Sequence, residues 1–349
     1  MKDILQKLRN WESQENRLKI TTLDAHTGGE PLRIILDGLP EIPGATILEK
    51  RRYLMEHLDN YRKLLMWEPR GHADMYGCII TEPNDSQADF GVIFLHNEGY
   101  STMCGHAIIA VSKVVVQCGA VSKSGNPVRL TIDAPAGRVY SKVYLDDRGK
   151  VQRVSFKNVP SFIYKEDVAV AVADYPEIVG DIVFGGAFYF FVDADRYGVD
   201  LSPKNYRRLI ELGMELKQAV MARIPIHHPE AADLGFLYGT ISYGKSHTAE
   251  ADSRNVCIFA EGEVDRSPTG TGVSARMALH HYKHGWPLGK PMTIESIVGS
   301  RFTATPLEEV EYHGFPAVIP EVSGNAFISG KNQFYLDPED DFPEGFFLR

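Results

Sequence analysis

The chain has 349 residues, of which 44% are hydrophobic and 24% charged, a composition typical of soluble globular proteins and long enough for two domains. Its formal net charge of −9 argues against a nucleic acid or an anionic membrane as partner, because an acidic surface attracts neither. No apolar run reaches the length of a membrane span, and the N-terminus lacks the apolar segment of a signal peptide. The four cysteines show no disulfide spacing. We therefore expect a cytoplasmic protein.

Hydrophobic patterning and turn residues predict the same order of elements in both halves of the chain. The elements predicted for the first half are strands at 18–24 and 31–37, a helix from about 46 to 67, strands at 76–82 and 90–96, a helix from Cys104 to Gly119, and short strands within 127–158. Those predicted for the second half are strands near 181–193, a helix over about 203–223, strands near 237–243 and 255–261, a helix from Thr269 to about Gly285, and strands over most of 291–321. This order indicates an approximate internal duplication.

The two helices of the duplication that start at Cys104 and Thr269 begin with related segments, MCGHA (103–107) and PTGTG (268–272). The first amide groups of a helix have no partner within it, and the helix dipole is positive there, so each start can bind an anion. Two such starts, 165 positions apart, predict a small carboxylate held between two domains. Without a flexible linker between the halves, we expect a cleft that closes by hinge motion.

Cys104 is the cysteine with the surroundings of a reactive thiol. A lone cysteine in an apolar setting is usually a small core residue, and we interpret Cys78, Cys118 and Cys257 in this way. The field at a helix start favours thiolate over thiol, so we expect Cys104 to be more acidic than a free cysteine. His106 either caps this helix or holds the thiolate or the ligand.

Other motifs have simpler interpretations. The segment GTG (270–272) lacks the lysine of a P-loop and the setting of a dinucleotide site, and no Gly-x-Ser-x-Gly elbow is present. His280, His281 and His284 are interpreted as a cationic helix end and not as metal ligands. His26 belongs either to a turn or to the cleft. Asp265 either stabilises the helix start or pairs with a substrate cation.

The chain resembles the proline racemase family, whose fold is that of diaminopimelate epimerase. The matching segments are DAHTGGEP (24–31), PRGHADM (69–75), MCGH (103–106), DRSPTGTG (265–272), and SGNAFISG (323–330) with Asp337-Pro338. The resemblance implies an α/β (α+β) fold of two pseudo-symmetric domains. In each domain, antiparallel strands surround a central helix, and the active site lies in the cleft between them. We place the first domain at residues 1–160 plus 325–349 and the second at 161–324.

The resemblance also implies an activity without a cofactor or a metal. Racemases and 4-hydroxyproline epimerases of the family use two facing cysteines, whereas here Cys104 faces Thr269, the pair found in trans-3-hydroxy-L-proline dehydratases. By the same resemblance the substrate carboxylate is bound by Gly105, His106, Gly270 and Thr271, and the ring nitrogen by Asp265. We therefore expect a hydro-lyase for a proline-like amino acid, and we consider a homodimer for its assembly.

Three alternatives stay open at this point. The first is a proline racemase or a 4-hydroxyproline 2-epimerase in which Thr269 relays a proton from water. The second is another isomerase of the same fold, such as a diaminopimelate epimerase, although that chemistry also needs two cysteines. The third is a non-catalytic amino-acid-binding protein that uses the same carboxylate clamp.

Overall fold

A computed structural model describes residues 1–13 and 17–348 of this protein. Its strands form two similar halves, each of which surrounds one buried helix. The strands of the first half are β1 (Leu18–Thr27), β2 (Glu30–Asp37), β3 (Gly77–Thr81), β4 (Phe90–Leu95), β5 (Val128–Ala134), β6 (Gly137–Leu145) and β7 (Val151–Lys157). Those of the second half are β8 (Ser161–Val172), β9 (Tyr175–Phe184), β10 (Phe188–Asp193), β11 (Leu237–Gly244), β12 (Ser253–Phe259), β13 (Glu263–Val264), β14 (Met292–Glu295), β15 (Arg301–Tyr312) and β16 (Phe315–Gly324). A last strand, β17 (Ala326–Leu336), pairs with β1.

The helices differ from the predicted ones mainly in the first half. They are α1 (Lys2–Arg9), α2 (Ile47–His57), α3 (Asp59–Met66), α4 (Gly105–Gln117), α5 (Ala194–Tyr197), α6 (Tyr206–Met221) and α7 (Gly270–His284). The single helix predicted over 46–67 is wrong, because the backbone leaves helical geometry at Leu58 (φ −130°) and starts again as α3. Both parts pack into one apolar cluster, to which α2 contributes Ile47 and Leu54 and α3 contributes Leu64, Leu65 and Met66.

The internal duplication is visible in the pairing of the strands. In the first half β2 pairs with β3 in parallel, β3 with β4 antiparallel, β4 with β5 in parallel, and β5 to β7 antiparallel. The second half repeats this series with β10, β11, β12, β14, β15 and β16. A parallel pair needs a long crossover. The crossover from β4 to β5 contains α4, and the matching crossover from β12 to β14 contains α7. The predicted fold, with two pseudo-symmetric halves around central helices, is confirmed.

Helices α4 and α7 form the centres of the two halves. Helix α4 is apolar on nearly all sides, and its residues from Gly105 to Val115 are buried against β1, β6 and β7. Helix α7 buries its residues from Gly270 to Leu279 against β8, β15 and β16. In the second half β8 also pairs with β16, so that the strands close into a ring around α7.

The last two long strands connect the halves. Strand β16 pairs with β15 in the second half and with β7 in the first, and the chain then continues through β17, which pairs with β1. Domain boundaries near residues 160 and 325 remain a proposal, which this change of partners supports. Over the described ranges, no helix is both long and apolar enough to cross a membrane.

Candidate active site

The starts of α4 and α7 meet at two glycines. A Cβ atom built on Gly270 would lie 2.5 Å from the Cα and 2.9 Å from the carbonyl carbon of Gly105. Distances this short do not occur between real Cβ atoms and their neighbours, so the two backbones approach as closely as only glycine allows. The unpaired amides of both helix starts therefore face one cavity, as the sequence predicts.

This cavity is closed and lies between the halves. It is lined by Tyr76, Met103, Cys104, Gly105 and His106 from the first half, and by Tyr189, Tyr238, Cys257, Phe259, Asp265, Thr269, Gly270 and Thr271 from the second. The lining includes every residue that the sequence analysis placed in the site. Its volume of about 10 Å³ has room for about one water molecule. A ring the size of proline can enter only when the halves move apart.

Cys104 is the N-cap residue of α4, and its sulfur accepts a hydrogen bond from the Ala107 amide at 3.4 Å. Burial raises the pKa of the Cys104 thiol well above its ordinary value, while the hydrogen bonds from Ala107 and Tyr76 lower it. The expectation of a thiol more acidic than free cysteine is therefore wrong for this buried site. The physical reason is that removing a thiolate from water costs more than the amides of the helix start return.

His106 lies against the sulfur of Cys104, with its Nδ1 atom 3.1 Å from Sγ. The ring is buried, which lowers the pKa of His106 to about 3 and keeps it uncharged. Because the Ala107 amide is bonded to the sulfur, His106 does not cap the helix with its side chain. Of the roles left open by the sequence, the structure favours contact with the thiol, for which a neutral ring nitrogen can act as proton acceptor.

Asp265 lines the cavity and does not cap α7, since the N-cap position is that of Thr269. Its carboxylate accepts the Ser267 amide at 2.7 Å, and burial raises the pKa of Asp265 to about 6. A buried carboxylate that faces an empty cavity is suited to pair with a cation. The structure thus favours the second of the two roles left open for Asp265.

Glu30 is a second buried carboxyl group behind Asp265, and the sequence analysis treated it only as part of a turn. Its Oε2 atom accepts the Arg266 amide at 2.7 Å, whereas Oε1 is buried with no hydrogen-bond partner within residues 1–13 and 17–348. Burial and the nearby Asp265 raise the pKa of Glu30 well above its ordinary value, which favours its protonated form beside a charged Asp265. Its acidic type beside two glycines was the signal available in the sequence.

Thr269 occupies the place in the second half that Cys104 has in the first. Its φ of +68° is unusual for a β-branched residue, and such conformations concentrate at functional sites. The hydroxyl is buried and faces Cys257 and Asp265.

Cys257 is fully buried, as expected, but it also forms part of the cavity wall, which the sequence did not indicate. Burial raises the pKa of the Cys257 thiol well above its ordinary value, so the group stays protonated.

Three tyrosines in the cavity wall were missed because aromatic residues in strands usually belong to the core. The hydroxyl of Tyr189 hydrogen-bonds to the Thr271 hydroxyl at 2.6 Å. The hydroxyl of Tyr76 hydrogen-bonds to Ser101 and lies 3.5 Å from that of Tyr238. These hydroxyl groups add to the polar atoms that the helix starts and Asp265 already bring to the wall.

The remaining histidine candidates lie outside the cavity. His26 accepts the Gly29 amide at 3.3 Å through its Nδ1 atom, which makes it a turn residue. At the end of α7, His280 contacts Arg276, and His281 contacts Glu309 at 2.7 Å. In the part of the chain that the structure describes, no three His, Cys, Asp or Glu side chains are grouped as metal ligands.

Comparison with known proteins shows similarity over nearly the full chain. The sequence profile described as proline racemase matches residues 22–347. A Colwellia psychrerythraea protein named trans-3-hydroxy-L-proline dehydratase is 47% identical, covering 98% of this chain and 97% of its own. A Burkholderia multivorans protein named 3-hydroxyproline 2-epimerase is 44% identical, covering 95% and 98%. The crystal structure of a hydroxyproline epimerase from Agrobacterium vitis, with bound trans-4-hydroxy-L-proline, is 30% identical, with a TM-score of 0.90 over 96% of this chain and 97% of that one.

Proposed function

This chain belongs to the proline racemase family, and we propose that it dehydrates trans-3-hydroxy-L-proline to 1-pyrroline-2-carboxylate and water. The observation that carries the proposal is the unequal pair of residues at the two helix starts, a thiol at Cys104 and a hydroxyl at Thr269. Racemisation needs an acid–base group on each face of the α-carbon. A threonine hydroxyl is too weak an acid for this work, whereas elimination needs only one face.

The substrate carboxylate binds at the junction of α4 and α7, where the amides of both helix starts and the Thr271 hydroxyl face the cavity. Asp265 pairs with the ring ammonium group and keeps it charged, which makes the α-hydrogen more acidic. Charge that develops when the α-proton leaves spreads into the carboxylate, where the helix amides stabilise it. Closure of the halves excludes water and strengthens these interactions.

The Cys104 thiolate removes the α-proton. In trans-3-hydroxy-L-proline the 3-hydroxyl lies on the same face of the ring as the α-hydrogen, because both are opposite the carboxylate. A proton returns to the 3-hydroxyl on that face, the C3–O bond breaks, and the hydroxyl leaves as water. The enamine product then tautomerises to the cyclic imine, and all atoms balance without a co-reactant.

The direct test is incubation of the protein with trans-3-hydroxy-L-proline and detection of the cyclic imine with o-aminobenzaldehyde. A second candidate function, epimerisation at the α-carbon, is favoured by the similarity to the 3-hydroxyproline 2-epimerase. The two reactions are distinguished in one sample, since dehydration forms imine and epimerisation changes the optical rotation without forming it. Epimer without imine would contradict the proposed function.

The role of Thr269 gives a prediction about racemisation. If only the Cys104 face carries an acid–base group, Thr269→Ala should lower dehydration moderately, by about 10-fold, through loss of packing and of carboxylate placement. Thr269→Cys supplies a second thiol and should admit slow conversion of L-proline to D-proline, measured by chiral chromatography. The wild-type protein serves as control and should return L-proline. If it formed D-proline about as fast as it dehydrates hydroxyproline, the one-face mechanism would be wrong.

The pKa of Asp265 gives a prediction about pH. Below pH 6 this carboxyl group is protonated and cannot pair with the ring ammonium, so wild-type kcat/KM should rise with pH through an apparent pKa of about 6. Asp265→Asn should lower kcat/KM at neutral pH by about 30-fold or more and remove this dependence. Arg266 and the Cys104 and Cys257 thiols also face Asp265, but their pKa values are raised from ordinary values that already lie above this range. Burial raises the pKa of Glu30 as well, so a pH profile that persists in the variant would assign the dependence to Glu30.

Two further properties belong to the proposal. We propose a cytoplasmic location, supported by four cysteines that are all free in the structure. We also propose a homodimer, which measurement of the molecular mass in solution would test.

A further inference from the structure

Tyr76 has no part in the reaction described so far, although it packs against the histidine that contacts the Cys104 sulfur. The side chain is 1% exposed and forms part of the cavity wall. Its ring meets the ring of His106 edge-on, with the centroids 4.7 Å apart, and the Nδ1 atom of His106 lies 3.1 Å from the Cys104 sulfur. The phenol is therefore on the same side of the cavity as the catalytic thiol.

The hydroxyl of Tyr76 has two polar neighbours, the hydroxyls of Ser101 and Tyr238, and either atom of each pair can be the donor. A phenol oxygen can accept two hydrogen bonds while it donates one. When Ser101 and Tyr238 both donate to it, the proton of Tyr76 is left for a group in the cavity.

The stereochemistry of the substrate places the leaving group on this side. The 3-hydroxyl shares a face with the α-hydrogen, and the carbon that carries it is bonded to the α-carbon. A substrate that presents its α-hydrogen to Cys104 therefore presents its 3-hydroxyl to the neighbours of the sulfur. Tyr189, by contrast, directs its hydroxyl to Thr271, on the side where the carboxylate binds.

We propose that Tyr76 is the acid that protonates the leaving 3-hydroxyl, an inference that rests on the proposed dehydratase function. The Cys104 thiolate takes the α-proton and becomes a thiol. The C3–O bond breaks as its oxygen takes the Tyr76 proton and leaves as water. The phenolate then takes the proton from the Cys104 thiol, which restores both groups.

The test compares two leaving groups in Tyr76→Phe. Fluoride leaves with far less help from an acid than hydroxide does, so elimination from trans-3-fluoro-L-proline needs Cys104 but not Tyr76. We expect the variant to lose about 10²- to 10⁴-fold in kcat/KM for the hydroxy substrate and to keep its value for the fluoro substrate within about 3-fold. Retained fluoride release also shows that the variant is folded. Equal losses for both substrates, or no loss for either, would overturn the role of Tyr76.

Tyr189→Phe is the matched control, because it removes a tyrosine hydroxyl from the same cavity but from the carboxylate side. It should lower both kcat/KM values by the same factor, leaving their ratio unchanged.

If Tyr76→Phe fails to fold, Ser101→Ala replaces it, since Ser101 lies outside the cavity lining and acts only through the phenol. We expect Ser101→Ala to lower the ratio about 10-fold, and an unchanged ratio would overturn the proposal. A wild-type protein that formed no imine would instead contradict the dehydratase function itself.

Discussion

Cys104→Ser is expected to lower the turnover of trans-3-hydroxy-L-proline by about 10²- to 10⁴-fold, the contribution of a positioned general base. A serine hydroxyl is not ionised at neutral pH, so it cannot remove the α-proton as a thiolate does. The substitution removes little volume from the N-cap of α4, and serine can accept the Ala107 amide in place of the sulfur. Turnover is measured by imine formation, and the fold by circular dichroism and thermal unfolding.

Cys118→Ser is the matched control for Cys104→Ser. Cys118 is the exposed C-cap residue at the opposite end of the same helix, so the same atom changes outside the cavity. We expect this variant to keep wild-type turnover. If Cys104→Ser kept most of its activity, another group would be the base. The next residue to test would then be Cys257, the other thiol in the cavity wall.

Gly270→Ala is expected to abolish most activity and to destabilise the protein as well. The added methyl group would lie 2.5 Å from the Cα of Gly105. Because Gly105 meets this methyl group with backbone atoms, no side-chain rotation can relieve the clash. The helix starts must separate, which we expect to cost about 1–3 kcal/mol in the free energy of unfolding. A shift of about 1 Å in the carboxylate site should lower turnover about 10²-fold. Denaturant unfolding and the imine assay measure the two effects.

Gly330→Ala is the control for Gly270→Ala. Gly330 lies on β17, where an added Cβ would make only ordinary contact with Asn332 at 3.9 Å. This variant should keep both stability and turnover. If Gly270→Ala behaved in the same way, the close approach of α4 and α7 would not be needed to form the carboxylate site.

The sequence was informative about the helix starts because their signals are local. A cysteine or threonine followed by glycines, and then by an apolar segment, specifies where α4 and α7 begin without reference to the rest of the fold. Hydrophobic periodicity located most strands in the same way. It did not predict β8 or β17, and it did not show the break at Leu58, which depends on what the two parts of that segment pack against.

The tertiary structure alone decided how the other groups around the cavity are arranged. Tyr76, Cys257 and Glu30 lie in segments whose sequence is typical of strands and turns, and folding brings them close to the helix starts or to Asp265. Proximity between distant segments has no local signal, so no pattern in the chain indicated Tyr76 or Cys257.

The same distinction explains the acidity of Cys104. The sequence correctly determined its position at a helix start, and thus the sign of the local field that favours a thiolate. The net pKa also depends on how completely the surroundings exclude water, and that is a property of the closed cavity as a whole. The sequence by itself therefore determined which residues stand at the two helix starts. Only the tertiary structure decided their charge states, because desolvation is set by packing from all sides.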